Sequence, residues 1–303
     1  MLLSRLTVAR LQQITTLGSL LLAGAWLVWQ WERSPLVAAV GSILIVFGYS
    51  VVLALEFVAL RWINRVDPAP LPGWGELAHA WLMETVQALR VFCWRQPFRS
   101  RHVPDRLVPH ADLQGRRGLV FVHGFVCNRG FWTPWLELLQ ARNCAFAAVN
   151  LEPAFASIDG YVQVIEDAIS AVTQASGVPP VLICHSMGGL AVRAWLRSGD
   201  QSGRVHHIVT IGTPHHGTWL GRFSHLTNGR QMALGSRWLR QLEADSQAAS
   251  TIGFTCWFSN CDNIVFPTST ATLPGADNRL VRGVAHVALA FQPQVMAATF
   301  ALL

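Results

Sequence analysis

Val181-Leu182-Ile183-Cys184-His185-Ser186-Met187-Gly188-Gly189 is the stretch on which the reading of this chain turns. An apolar run without alternation ends at a serine, two glycines follow one residue later, and the helix-favouring segment 190–196 comes next. A strand apolar at every position is buried on both faces, the situation of a parallel sheet. Turning such a strand directly into a helix pushes the side chain at the corner into the open, and its neighbours must be small because a bulky Cβ would clash. In the G-x-S-x-G pattern of these corners the first position is here Cys184, small but not glycine. The corner therefore exposes Ser186 at the carboxyl end of a buried strand, where its chemistry depends on partners elsewhere in the chain.

Outward from this corner the same alternation repeats. Apolar runs at 119–122, 145–151, 205–211 and 254–258, with a weaker one at 279–282, flank helical patterns at 131–142 and 159–174. Strands alternating with helices predict a mostly parallel sheet covered by helices on both faces. Ligands of such sheets bind beyond the carboxyl ends of the strands. Residues 118–303 form this catalytic unit. The interval 215–250, with a helix-like stretch at 236–247, is long for a connection and is expected to cap the mouth of the site.

A serine hydroxyl attacks only if an imidazole takes its proton. His286, after the last strand, is the expected base, and Asp262, directly after the strand at 254–258, is the expected carboxylate that orients it. Asp277 is a rival with no strand before it. His185 points away from its neighbour and is structural; His215 and His216 are distant alternatives as base and candidate substrate contacts. A tetrahedral oxyanion requires two preorganised donors. The backbone N–H groups of Met187, after the serine, and of Phe125, in the His123-Gly124-Phe125 loop that ends the first strand, are assigned that role. Phe131, Trp132 and Trp219 supply apolar surface suited to a greasy substrate.

Of the 303 residues, 51% are hydrophobic and only 13% charged, against about 25% in ordinary soluble domains. The excess sits in runs 14–31 and 36–60, whose only ionisable residue is Glu56. Each approaches the ~20 residues that span a bilayer, and the four residues between them allow only an antiparallel hairpin. A cleaved signal peptide ending near Ala23-Gly24-Ala25 is the competing reading, but the apolar run continues beyond it and a second follows at once. Residues 1–65 are thus read as a membrane hairpin, with Glu56 near the interface beside Arg61. Residues 66–117 are read as an amphipathic juxtamembrane helix, 73–98, and a linker.

Arg5, Arg10, Arg61 and Arg65 put both ends of the hairpin, and the catalytic unit, on the cytoplasmic side of a bacterial inner membrane. The net charge of +6, carried entirely by arginine, is not a nucleic-acid signal. Its densest cluster, Arg90, Arg95, Arg99, Arg101 and Arg106, lies beside the anchor and suits anionic lipid headgroups. Six cysteines show neither a CxxC pair nor metal-ligand spacing, so no metal is expected.

Val122-His123-Gly124-Phe125, the corner at Ser186, and Ile211-Gly212-Thr213-Pro214-His215-His216-Gly217-Thr218 together resemble the α/β-hydrolase superfamily, and within it bacterial lipases and esterases. The resemblance covers roughly 118–303 and implies a Ser186-Asp262-His286 triad working without a cofactor. It also implies a lid around Gly235-Ser236 and Leu239. Secreted lipases of this kind hold calcium with an aspartate two residues after the histidine; here that residue is Ala288, so no calcium site is carried over. The expected activity is hydrolysis of carboxylic esters with apolar acyl chains, the partners being a lipid or ester substrate and a membrane. Acyl transfer, thioester hydrolysis and a catalytically silent, membrane-anchored binding protein remain open alternatives. Oligomeric state is not legible.

Overall fold

In the computed structural model, which describes residues 7–108, 110–246 and 252–303, the strands expected from the apolar runs form one sheet. These are β1 (Leu119–Val122), β2 (Phe146–Ala148), β3 (Val181–His185), β4 (His207–Ile211), β5 (Gly253–Phe258) and β6 (Asp277–Leu280). They pair in the order β2-β1-β3-β4-β5-β6, every pair parallel. Alternate side chains of each inner strand enter opposite cores. Val120, Val122, Leu182 and Cys184 face one side; Leu119, Phe121, Val181 and Ile183 face the other. That two-sided burial is why these strands read as unbroken apolar runs. The edge strand β6 begins Asp277-Asn278-Arg279, exposed throughout, and was for that reason the faintest in sequence.

The helices are α1 (Val8–Trp31), α2 (Pro35–Phe47), α3 (Tyr49–Ile63), α4 (Trp74–Ala88), α5 (Gln96–Phe98), α6 (Thr133–Gln140), α7 (Val162–Ser176), α8 (Met187–Arg197), α9 (Thr227–Gln231), α10 (Arg237–Ser246), α11 (His286–Leu289) and α12 (Pro293–Phe300). The crossover helix α7 covers one face with Ile165, Ile169 and Val172, beside α8 and the buried Leu239 and Leu242 of α10. The opposite face is covered by Trp135, Leu136 and Leu139 of α6 and Val295 of α12.

The N-terminal third departs from the sequence reading. Run 14–31 lies within one straight helix, α1. The second run is broken at Gly48, where α2 and the following Tyr49–Val66 meet at 57°. Among the described residues, α1 alone is long and apolar enough to cross a membrane, and the bent pair qualifies only if taken together. Beyond the bend, Phe57 and Leu60 of α3 and Leu77 and Ala80 of α4 bury against Cys261, Phe266 and Ala285. These last three residues flank Asp262 and His286, so α3 and α4 form a third packed layer over the loops of the expected site. Burying side chains of this size contributes about 1.5–3 kcal/mol each, enough to fix the layer. Of the interval 215–250, expected to cap the site, the described residues place α10 against α8, with Leu239 and Leu242 buried there and the Trp238 indole donating to Asp159 at 2.8 Å; 247–250 lie outside the described residues.

Candidate active site

Ser186 stands between β3 and α8 with φ 54° and ψ −128°, a conformation that L side chains adopt only under strain. Such residues cost about 1–3 kcal/mol and need surroundings that enforce them. Here the enforcement is local. The Ser186 N–H donates to the Ile211 carbonyl at 2.9 Å, and the Thr213 hydroxyl donates to the Ser186 carbonyl at 2.9 Å. A Cβ on Gly188 would stand 2.4 Å from the Val122 carbonyl oxygen, so the small residue at that position lets α8 start against β1.

Asp262 and His286 converge across the end of β5. The buried His286 ring meets the buried carboxylate of Asp262, Nδ1 to Oδ2, at 2.8 Å. The other oxygen, Oδ1, accepts from the Ile264 and Val265 N–H groups at 3.0 and 2.8 Å, which locks the carboxylate. A carboxylate at Nδ1 stabilises the Nδ1–H tautomer and leaves Nε2 as the basic nitrogen. Burial alone would lower the His286 pKa; the negative charge and hydrogen bond of Asp262, with Glu84 and Glu56 farther off, raise it above the usual imidazole value. Ser186 and His286 line one cavity of about 200 Å³ together with Gly124 and Phe125.

His123 prepares the loop opposite. Its Nε2 accepts from the Leu151 N–H at 3.0 Å, so the proton is on Nδ1, which donates to the Gly124 carbonyl at 2.9 Å. Burial holds this ring neutral, its pKa pushed down to about 4. In a trans peptide the C=O and the next N–H point oppositely. Fixing the Gly124 carbonyl on His123 therefore turns the Phe125 N–H to the other side. Gly124 lies against the serine: a Cβ there would be 2.8 Å from Ser186 Cβ. Met187 opens α8, where an N–H has no intrahelical acceptor.

Four expected substrate contacts lie elsewhere. Trp132 is fully buried against Phe121 and Trp135, in the core behind the sheet. His215 is buried with Nε2 at the Thr210 hydroxyl, 3.0 Å, and its carbonyl accepts from Arg193. His216 faces Glu243 at 3.9 Å, and Trp219 stacks on Phe266. None of the four lines the cavity at Ser186. Of the three that follow β4, His215 turns into the core, while His216 and Trp219 stay half-buried away from the serine.

Beside residues of the catalytic unit, the walls include segments read as the membrane hairpin and the juxtamembrane helix. Leu53 of α3, Glu84 and Ala88 of α4, and Phe92 of the π-helical turn Leu89–Arg95 line the cavity. Glu84 is fully buried, its two oxygens accepting from the Val287 and Ala288 N–H groups at 3.0 and 3.3 Å. It caps, from a distant helix, the short helix that starts at His286; burial pushes its carboxyl up to about 7 against those hydrogen bonds. Glu56, expected beside Arg61, accepts from Asn263 at 2.7 Å, and the Asn263 side-chain oxygen accepts from the His286 N–H at 3.4 Å. Asn64 and Asp67 bond Thr268 and Ser269 in the same loop. Gln12 of α1 donates to the Val126 carbonyl, 3.1 Å, just past the Phe125 turn. An acid inside an apolar helical pattern, Glu56 in one and Glu84 in the other, was the only sequence signal, and its partner lay some 200 residues away.

With this geometry in place, the wider comparison is direct: the chain belongs to the alpha/beta hydrolase family, whose profile matches residues 119–299. Among solved structures it is similar in fold to the mature lipase BlEst2 of Bacillus licheniformis, with a TM-score of 0.56 and 15% identity over 66% of this chain and 96% of that one. It is also similar to lipase B of Aspergillus fumigatus, with a TM-score of 0.53 and 16% identity over 63% of this chain and 54% of that one. No curated protein matches the sequence. The first 118 residues lie outside the family match.

Proposed function

We propose that this protein is a serine hydrolase of carboxylic esters with apolar acyl chains, held at a membrane by its N-terminal helices. The observation that carries the reading is His286, paired with Asp262 at 2.8 Å, lining one cavity with a serine strained at φ 54°. Ser186 attacks the ester carbonyl while His286 Nε2 takes the hydroxyl proton and then returns it to the leaving alcohol. Asp262 holds the tautomer and balances the imidazolium, and the Phe125 and Met187 N–H groups receive the oxyanion. Water then releases the acyl group by the same relay, and no metal or cofactor is invoked.

Membrane attachment is supported by α1, whose 24 residues reach about 36 Å. Leu17, Leu21, Leu22 and Val28 are exposed along it, and Trp26, Trp29 and Trp31 gather at its far end. Its near end bonds the catalytic unit through Gln12, at the Val126 carbonyl, and the juxtamembrane segment through Gln13, at the Pro97 carbonyl. The following α2, 13 residues rising about 20 Å, does not cross by itself, and the flanking Arg10, Arg61 and Arg65 favour the cytoplasm for the side that holds the catalytic unit. In full-length protein in lipid nanodiscs, p-nitrophenyl butyrate hydrolysis should fall at least a thousandfold in Ser186→Ala; unchanged turnover would overturn the mechanism.

A further inference from the structure

A second cavity, about 610 Å³, lies between α1, α2, α3, α4 and the π-helical turn. It shares Ala88, Phe92 and Val126 with the cavity at Ser186, so the two meet at that wall. We infer that the two together form the substrate's acyl channel, which seats the fatty chain of a membrane lipid ester between the anchoring helices while its carbonyl lies at Ser186. This rests on the ester-hydrolase reading and assigns the anchor a role in specificity.

The chemistry of the walls selects that occupant. Leu20, Ile45, Val46 and Leu89 present hydrocarbon to it. Three of its hydroxyls are used within the protein: Thr15 donates to the Gln12 carbonyl, Ser19 to the Thr15 carbonyl, and Tyr49 to the Thr85 carbonyl, which leaves the Thr16 hydroxyl and the unpartnered Gln12 Oε1 as polar spots near one end. Neither an acid nor a base lines it. Such a surface, uncharged and mostly hydrocarbon, suits methylenes better than a charged group. The volume falls in the range of sites for lipid-sized ligands, roughly 300–1,000 Å³. The helices forming it also carry the exposed apolar surface that faces lipid, so a chain enters from the bilayer without crossing water. The cavity at the serine, about 200 Å³, is too small for a long chain by itself.

Each methylene moved from water onto such walls favours binding by about fourfold. The test uses full-length protein in nanodiscs and the ratio of kcat/KM for p-nitrophenyl dodecanoate over butyrate. Within one preparation this ratio cancels the fraction of active enzyme. Wild type should favour the longer ester, and Ile45→Trp on α2 and Thr16→Trp on α1, both lining only the second cavity, should each cut the ratio at least tenfold. A second readout is direct: a fluorophosphonate with a terminal diazirine on a twelve-carbon chain, bonded to Ser186, should on illumination crosslink to residues 12–20 or 45–49. A ratio unmoved by both substitutions, or crosslinks confined to residues 118–303, overturns the channel. Absence of labelling at Ser186 overturns the hydrolase reading instead.

Discussion

Glu84→Gln separates a lipid-facing helix from one that is part of the site. In the wild type a carboxyl with its pKa pushed up to about 7 is buried among the first N–H groups of α11. An unfolded chain ionises the same group near 4.3, so between these values the folded state binds the extra proton. Stability contributed by a raised pKa is complete below the unfolded value and is lost as pH rises through the folded one. Wild type should therefore lose up to roughly 3 kcal/mol between pH 5 and pH 8 that the glutamine variant, unable to ionise, does not lose. The opposing effect is loss of a charge-assisted acceptor, about 1.5–3 kcal/mol and largest where Glu84 is ionised. The net shift is what unfolding reports: the stability of Glu84→Gln relative to wild type should improve from pH 5 to pH 8. The same substitution removes a negative charge that favours the His286 imidazolium, so the acid limb of kcat/KM should move to lower pH. Urea unfolding at the two pH values and a pH–rate profile with p-nitrophenyl butyrate measure both. Parallel stability curves together with an unmoved acid limb would show that Glu84 is not held against α11 as described.

Asp262→Asn should leave the fold intact and lower kcat by about 10⁴-fold, because the imidazole loses its enforced tautomer; its acid limb should also shift down, since Asp262 raises the His286 pKa. Gly188→Ala brings a methyl group to 2.4 Å from the Val122 carbonyl and should abolish both monodisperse folding and activity, measured by size-exclusion chromatography and ester turnover. Phe57→Ala, on a helix that a simple membrane span would leave in lipid, should cost about 3 kcal/mol and lower the midpoint of thermal unfolding. His216→Ala, outside the cavity, should leave kcat/KM within about twofold.

The sheet was legible because burial on both faces writes itself as unbroken apolar runs, and the corner at Ser186 because a helix can start against β1 only on glycine. Asp262 and His286 were legible from chain order and from their positions after strands. The apolar second run showed only that its side chains avoid water, which lipid and a protein surface satisfy equally; Gly48 was the one residue marking the bend. Trp132, His215, His216 and Trp219 do not line the cavity at Ser186, because apolar character and a place after a strand do not fix which way a side chain turns. Glu56 and Glu84 carried a signal, charge inside an apolar helix, whose meaning depended on partners some 200 positions away.

The central claim is a serine made nucleophilic by a histidine that the chain brings to it from a hundred residues away. Treating the full-length protein with diethyl p-nitrophenyl phosphate and mapping the adduct by peptide mass spectrometry tests this at the reacting atom. One diethylphosphoryl group on Ser186, formed in step with loss of esterase activity and absent from His286→Ala, is the result expected. Modification at another residue, or equal labelling of Ser186 without the imidazole, would contradict it.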